Sequence, residues 1–175
     1  MSPERAPKVA AIIAAAGFGQ RFTERGNKPL VELMGKPLFL WALEAFERHP
    51  AVHKIVPVFK ENDIATAEAL LVNQSLKKVQ RVVPGGKERQ DSVYNGLQAV
   101  SSDMDLVLVH DGARPLITED IITRVIEGIS GFDGAIAAVP PKDTIKEAGD
   151  EGIVSQTLER SRLWAVQTPQ GFYRQ

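Results

Sequence analysis

The sequence predicts an α/β fold: a mostly parallel sheet covered by helices, with a β-hairpin arm protruding from it. Three observations carry this reading. Short apolar runs rich in Val, Ile and Ala alternate with segments of helical periodicity. The runs are bounded by Gly, Pro or Asp and have the near-continuous apolar character of strands buried on both faces. After Val139 the alternation gives way to two short strand-like runs joined by a turn-rich stretch.

The strands are expected at Val9–Ala15, Lys54–Phe59, Lys78–Val83, Asp105–His110 and Gly134–Val139. In Pro37–Arg48 the residues Leu38, Trp41, Ala42, Ala45 and Phe46 recur at helical spacing, and Pro37 suits a first turn where its missing N–H has no partner anyway. Ile64–Val72, Ser92–Val100 and Ile121–Ile129 repeat that pattern. Thr118, followed by Glu119 and Asp120, is placed to cap the last of these and complement its positive end. Thr144–Glu147 and Ile153–Leu158 flank Ala148-Gly149-Asp150-Glu151-Gly152 and read as a hairpin arm. An arm with so little core of its own is a candidate for packing on another subunit.

The chain has 175 residues, of which 43% are hydrophobic and 25% charged, enough for one domain with a real core. That domain is expected over residues 1–175, with the arm at about residues 140–163. A formal net charge of -1 argues against a general nucleic-acid binder, so any phosphate site must be local. No cysteine is present, which excludes disulfides, thiolate metal sites and cysteine nucleophiles. No apolar run approaches membrane-spanning length and no leader with a cleavage pattern precedes Val9, so a cytoplasmic location and no membrane partner are expected.

The first strand runs into Ala14-Ala15-Ala16-Gly17-Phe18-Gly19-Gln20-Arg21-Phe22, and Lys28-Pro29 follows. Gly17 and Gly19 let the backbone turn sharply and aim N–H groups at one anion, while Arg21 and Lys28 add full positive charge. The loop is neither a Walker A motif nor a dinucleotide fingerprint, since it lacks Gly-Lys-Ser/Thr and a third spaced glycine. A tight strand-to-helix connection with surface basic residues accounts for the glycines equally well.

Further along, Val109-His110-Asp111-Gly112-Ala113-Arg114-Pro115 places an acid and an arginine at the C-terminal end of a buried strand, where open α/β sheets bind ligands. Asp111 can hold Mg²⁺ beside substrate phosphates, and Arg114 can contact phosphate or orient Asp111. An Asp-Gly turn with a surface ion pair is the plainer alternative. A lone histidine ending an apolar strand, His110 reads as packed and hydrogen-bonded rather than as a ligand. Gly85-Gly86-Lys87-Glu88-Arg89-Gln90-Asp91-Ser92 joins a strand to a helix and can bring backbone and hydroxyl groups against a base edge, although Asp91 or Ser92 serves as well for an N-cap. Thr144, Arg160 and the hydroxyl of Thr168 offer contacts for a second, phosphorylated substrate; the same residues pass as a hairpin face followed by a proline-bearing turn.

Taken in order, Ala15-Ala16-Gly17-Phe18-Gly19-Gln20-Arg21, Lys28-Pro29, Gly85-Gly86 through Asp91-Ser92-Val93, Val109-His110-Asp111 through Ala113-Arg114-Pro115, Asp143-Thr144 and Leu163-Trp164 through Gln167-Thr168-Pro169-Gln170 resemble the 2-C-methyl-D-erythritol 4-phosphate cytidylyltransferases of non-mevalonate isoprenoid biosynthesis. The resemblance implies a Rossmann-like nucleotidyltransferase fold, CTP and methylerythritol phosphate as substrates, Mg²⁺, and a homodimer clasped through the arm. By position it implies that Arg21 and Lys28 bind the triphosphate and stabilise charge during transfer, in the loop built by Ala15, Ala16, Gly17 and Gly19. It places Asp111 by the metal and ribose, gives cytosine selection to the backbone around Ala15 and Gly86 with Ser92, and puts Arg114, Thr144, Arg160 and Thr168 on the acceptor side. It also implies that the family's C-terminal portion, with a second phosphate-contacting lysine, has no counterpart before Gln175. The alternatives are a ribitol 5-phosphate cytidylyltransferase and a catalytically silent nucleotide-binding module. Leu163-Trp164 and Asp143-Thr144-Ile145-Lys146 favour the erythritol enzyme over the former.

Overall fold

The computed structural model describes residues 5–17 and 27–174. In chain order these form β1 (Val9–Ala14), β2 (Glu32–Leu33), β3 (Lys36–Pro37), α1 (Leu38–Arg48), β4 (Val52–Phe59), α2 (Ile64–Val72), β5 (Val83–Pro84), α3 (Arg89–Ala99), β6 (Leu106–Asp111), α4 (Glu119–Gly128), β7 (Gly134–Val139), β8 (Lys146–Ala148), β9 (Val154–Thr157) and β10 (Ala165–Tyr173). Six strands make one sheet in the order β5-β4-β1-β6-β10-β7. β1 pairs in parallel with β4 and β6, and β4 with β5, whereas β10 runs antiparallel to both β6 and β7.

The two faces of the sheet follow from strand alternation. In β1 the residues Val9, Ala11 and Ile13 enter one core with Phe39, Leu43 and Phe46 of α1 and Ile122 and Val125 of α4. Ala10 and Ile12 point the other way, into a smaller core closed by Val93 and Leu97 of α3. All five of these β1 side chains are fully buried, which is why the strand reads as an unbroken apolar run. The rings of Phe39 and Phe59 meet edge to face at 5.0 Å and tie α1 to β4.

Several expectations change in detail. The segment Lys78–Val83 is a strand only at Val83–Pro84; upstream it runs beside β4 through a single bridge between Ile55 and Val79. Pro37 lies at the cap of α1 instead of in its first turn, because it pairs with Glu32 in a small hairpin whose tip, Met34 and Gly35, has φ of 53° and 74°. Three residues earlier than expected, α3 starts on a reciprocal capping box between Glu88 and Asp91, so neither Asp91 nor Ser92 is its cap. Thr118 does cap α4, accepting from the Ile121 amide. The run Gln167–Gln170 is no turn but part of β10, with a cis Thr168–Pro169 peptide and a register shift between Val166 and Gln170. No α-helix separates β7 from β10, only a 3-10 turn at Arg160–Arg162, so the chain returns antiparallel through the β8–β9 hairpin, as a connection without a crossover must.

Gly96 lets α3 approach the sheet. A Cβ there would stand 2.6 Å from Ile12 Cγ2 and 3.0 Å from Val58 Cγ2, both on stiff β-branched side chains. Overpacking of this kind costs about 1–3 kcal/mol, while alanine in place of a helical glycine returns only about 1 kcal/mol. Gly96→Ala is therefore expected to lower the midpoint of chemical denaturation at unchanged slope; a raised midpoint would show that the helix has room to move.

Candidate active site

The C-terminal ends of β1 and β6 lie side by side, with Ala14 in register with Asp111. Beyond them a cavity of about 270 Å³ is lined by Ala14, Ala16, Gly17, Lys28, Pro29, Arg89, Ser92, Asp111 and Ala113. Three chain segments far apart in sequence thus deliver two cations, one carboxylate and a glycine-bearing loop to one hollow at the strand ends. A larger hollow of about 670 Å³ between α4 and the β7–β10 edge is lined mainly by apolar side chains, including Val125, Ile136 and Trp164, with Arg124 its one charged lining residue among the described residues. Size favours the second hollow and chemistry the first, because a polyphosphate requires cations and amide donors.

Asp111 is held from both sides. Arg114 Nε donates to its Oδ2 at 3.0 Å, and Arg89 Nη2 and Nε donate to its Oδ1 at 3.1 and 3.3 Å. Arg114 also donates to the side-chain oxygen of Gln167. These side chains are partly exposed, Asp111 at 29% and Arg89 at 50%, so each pair contributes about 1 kcal/mol or less and a charged ligand can displace it. The sequence reading missed Arg89. Its signal lies in the Gly85–Ser92 turn, where a basic residue stands between the glycines and the serine. Asn27 was missed as well: its amide donates to the Ala15 carbonyl at 3.1 Å and to Asp63 at 2.8 Å, pinning the residue before Lys28 to the end of β1.

The walls are built from small residues. Ala15 is fully buried, its amide donating to the Val58 carbonyl at 2.8 Å. A Cβ on Gly85 would fall 2.3 Å from the Ala16 Cβ and 2.8 Å from Ser92 Oγ, so only glycine fits there. Ser92 Oγ accepts from the Gly86 amide and donates to the Glu88 carbonyl, both at 3.1 Å. Gly19 and Arg21 lie outside the described residues.

Thr168, expected at the acceptor, is instead nearly buried. Its Oγ1 accepts from the Asp111 amide at 3.3 Å and lies 3.0 Å from His110 Nδ1. Committed to these inward contacts, the hydroxyl holds Asp111 in place. Neither Arg114 nor Thr168 lines the smaller cavity, and Thr144 and Arg160 sit on the exposed arm, where Arg160 Nη1 donates to the Lys142 carbonyl at 2.9 Å.

The acids present limit what metal could bind. Among the described residues no cluster of three or more His, Cys, Asp or Glu side chains could hold an ion, and Asp111 is the single acid in this cavity. Such a donor set fits Mg²⁺ carried chiefly by substrate phosphate oxygens with one protein carboxylate, and does not fit a metal caged by protein alone.

An open α/β sheet with a glycine-bearing loop, converging cations and one carboxylate at its strand ends has the architecture of a nucleotidyltransferase. The sequence profile of the family described as IspD, 2-C-methyl-D-erythritol 4-phosphate cytidylyltransferase, matches residues 9–175. The chain is 45% identical over 161 residues to the enzyme of that name from Thermosynechococcus vestitus, covering 92% of this chain and 69% of that one. It is 42% identical to the one from Clostridium botulinum strain 657, covering 94% and 72%. Among solved structures, the 4-diphosphocytidyl-2C-methyl-D-erythritol synthase of Anaerococcus prevotii superposes with a TM-score of 0.83 at 28% identity, over 96% of this chain and 72% of that one. The Thermus thermophilus cytidylyltransferase does so with a TM-score of 0.70 at 28% identity, over 95% and 70%. The chain belongs to the 2-C-methyl-D-erythritol 4-phosphate cytidylyltransferase family.

Burial holds His110 down at about 4, against an ordinary value of 6.5, and outweighs the opposing pull of the Arg114 carbonyl and the Asp111 charge. Burial also lowers His49, whose Nε2 meets Thr123 Oγ1 at 2.9 Å. Above pH 6.5 His110 is neutral whether folded or unfolded. Between pH 6.5 and about 4 only the unfolded chain takes up the proton, so stability falls as pH falls, by on the order of 3 kcal/mol from His110. Denaturation midpoints measured across this window are expected to drop for the parent and to drop less for His110→Gln. Equal slopes for the two proteins would contradict the assignment.

Proposed function

We propose that this chain transfers the cytidylyl group of CTP to 2-C-methyl-D-erythritol 4-phosphate, giving 4-diphosphocytidyl-2-C-methyl-D-erythritol and pyrophosphate in non-mevalonate isoprenoid biosynthesis. The observation that carries the proposal is the convergence of Lys28, Arg89, Asp111, Gly17 and Ser92 on one cavity in a chain of this family. The relatives described above share the methylerythritol name, which favours that acceptor over ribitol 5-phosphate, and membership in a family of transferases favours catalysis over a silent nucleotide-binding module.

The chemistry needs no dedicated base. A phosphate monoester with a second pKa of about 6 is largely a dianion at neutral pH, so its oxygen can attack the α-phosphorus of CTP directly. The bond from that phosphorus to the bridging oxygen of pyrophosphate breaks in line, and negative charge grows on the leaving group. Lys28, together with Arg21 from the same loop, supplies the fixed positive charge that stabilises it. Asp111 would hold Mg²⁺, which when bound neutralises phosphate charge. Arg89, whose pair with Asp111 is partly exposed, would turn from that carboxylate to the phosphates of the nucleotide.

Cytosine recognition follows from the hydrogen-bond capacity of Ser92. A hydroxyl has one donor and two acceptor sites; Ser92 spends the donor on Glu88 and one acceptor site on Gly86, leaving an acceptor for an exocyclic amine. Cytosine has that amine, whereas uracil carries a carbonyl there. Thr144 and Arg160 would be offered by the arm to the acceptor phosphate of a neighbouring subunit. Exposure of Ile153 at 68% and Val154 at 54% on that hairpin supports a homodimer. Among the described residues no helix is long and apolar enough to cross a membrane, and a cytoplasmic location is proposed with the pathway.

Pyrophosphate release with CTP and Mg²⁺ is expected with methylerythritol phosphate and not with ribitol 5-phosphate. In the same assay Lys28→Ala is expected to lower turnover at saturating CTP by about 100-fold or more, while shifting folding stability by about 1 kcal/mol or less. Release driven by ribitol 5-phosphate, or unchanged turnover in the variant, would contradict the respective assignment.

A further inference from the structure

His110 is a buried titratable side chain that the transfer chemistry does not use. Only 1% exposed, it lies at the C-terminal end of β6 with its ring 5.2 Å from that of Phe46. Both ring nitrogens are engaged: Nε2 lies 3.1 Å from the Arg114 carbonyl oxygen, and Nδ1 lies 3.0 Å from Thr168 Oγ1. A carbonyl only accepts, so Nε2 carries the proton, and in the neutral ring Nδ1 must then accept. Thr168 therefore donates its hydroxyl proton to Nδ1 while its oxygen accepts from the Asp111 amide. The donors run in one direction, from the Asp111 N–H to the Thr168 hydroxyl to His110, and from the His110 Nε2–H to the Arg114 carbonyl.

These bonds close a ring around the turn that carries Asp111 and Arg114. One limb holds the backbone at Asp111 against β10, and the other holds the far end of the turn, at Arg114, against the end of β6. A buried imidazole costs desolvation that an apolar side chain of the same size would avoid, so packing alone does not account for this residue.

We infer that His110 is a positioning residue, whose two ring nitrogens fix the Asp111–Arg114 turn so that both side chains stand in register with the reacting phosphates. The inference rests on the cytidylyl-transfer reading. Placement matters at this scale because a displacement of about 1 Å at a reacting group can cost about 100-fold in rate. Phenylalanine would keep the ring volume and remove both bonds. Glutamine would reach the Arg114 carbonyl with its amide and restore one limb.

The test is steady-state kinetics of parent, His110→Phe, His110→Gln, Thr168→Val and the double variant His110→Phe/Thr168→Val, at a temperature where each is folded. His110→Phe is expected to lose about 100-fold in kcat, with a much smaller change in KM for CTP. His110→Gln is expected to recover to within about tenfold of the parent, and the double variant to lose no more than the worse single, because both positions serve one network. Should His110→Phe fail to fold, the kcat and KM of Thr168→Val and the rescue level of His110→Gln carry the same test. Full kcat in folded His110→Phe, or losses that simply multiply in the double variant, would overturn the inference. A parent that releases no pyrophosphate would overturn the functional reading instead.

Discussion

The site depends on the junction between β6 and β10. Because β10 runs antiparallel into the gap between β6 and β7, Thr168 arrives beside the last residue of β6, where its hydroxyl accepts from the Asp111 amide. Without that strand one side of β6 would be an unpaired edge, and the backbone at Asp111 would keep only its pairing with Ala14 of β1. The antiparallel insertion follows in turn from the absence of a crossover α-helix between β7 and β10. A local feature of the sequence, the break in strand-helix alternation after Val139, thus reaches the position of one carboxylate at the end of β6, 57 residues before Thr168 in the chain.

Around that carboxylate the charge balance is unequal, and the inequality is useful. Asp111 faces Arg89 and Arg114, while Lys28 lines the same cavity as Asp111 and Arg89. A cavity with surplus positive charge, partly exposed and held by weak ion pairs, is prepared for a polyanion that brings its own counter-ion. The larger apolar hollow beside α4 offers a polyphosphate one arginine and no comparable loop. The charges and directed donors that a polyphosphate requires are concentrated at the smaller hollow, so volume alone is a poor guide in choosing between the two.

Much of the fold was legible because its signals are periodic. Val9–Ala14, Ile64–Val72 and Gly134–Val139 lie within a residue of their expected bounds, since burial on both faces or along one stripe leaves a repeating apolar pattern. The departures have local causes. At β5 the chain is an edge that touches its neighbour only intermittently, and α3 starts on a Glu88–Asp91 pair in which the cap is not one of the favoured residue types. The hairpin at Met34–Gly35 gave a single glycine as its cue. In the site, Lys28, Gly17, Ser92 and Asp111 were legible as types suited to phosphate and metal, and the structure gathers them. Arg89 and Asn27 were not, because their importance lies in what they touch across the fold. Thr168 was legible as a polar residue but not as a buried one, since its partner His110 precedes it by 58 residues.

Hydrogen exchange read amide by amide tests most directly the proposal that CTP occupies the small charged cavity at the ends of β1 and β6. With CTP and Mg²⁺ present, slowed exchange is predicted at Gly17, Gly86 and the turn from Asp111 to Arg114, with α4 and β7 unchanged. Protection confined to α4, β7 and the segment around Trp164 would place the nucleotide in the larger hollow and contradict the claim.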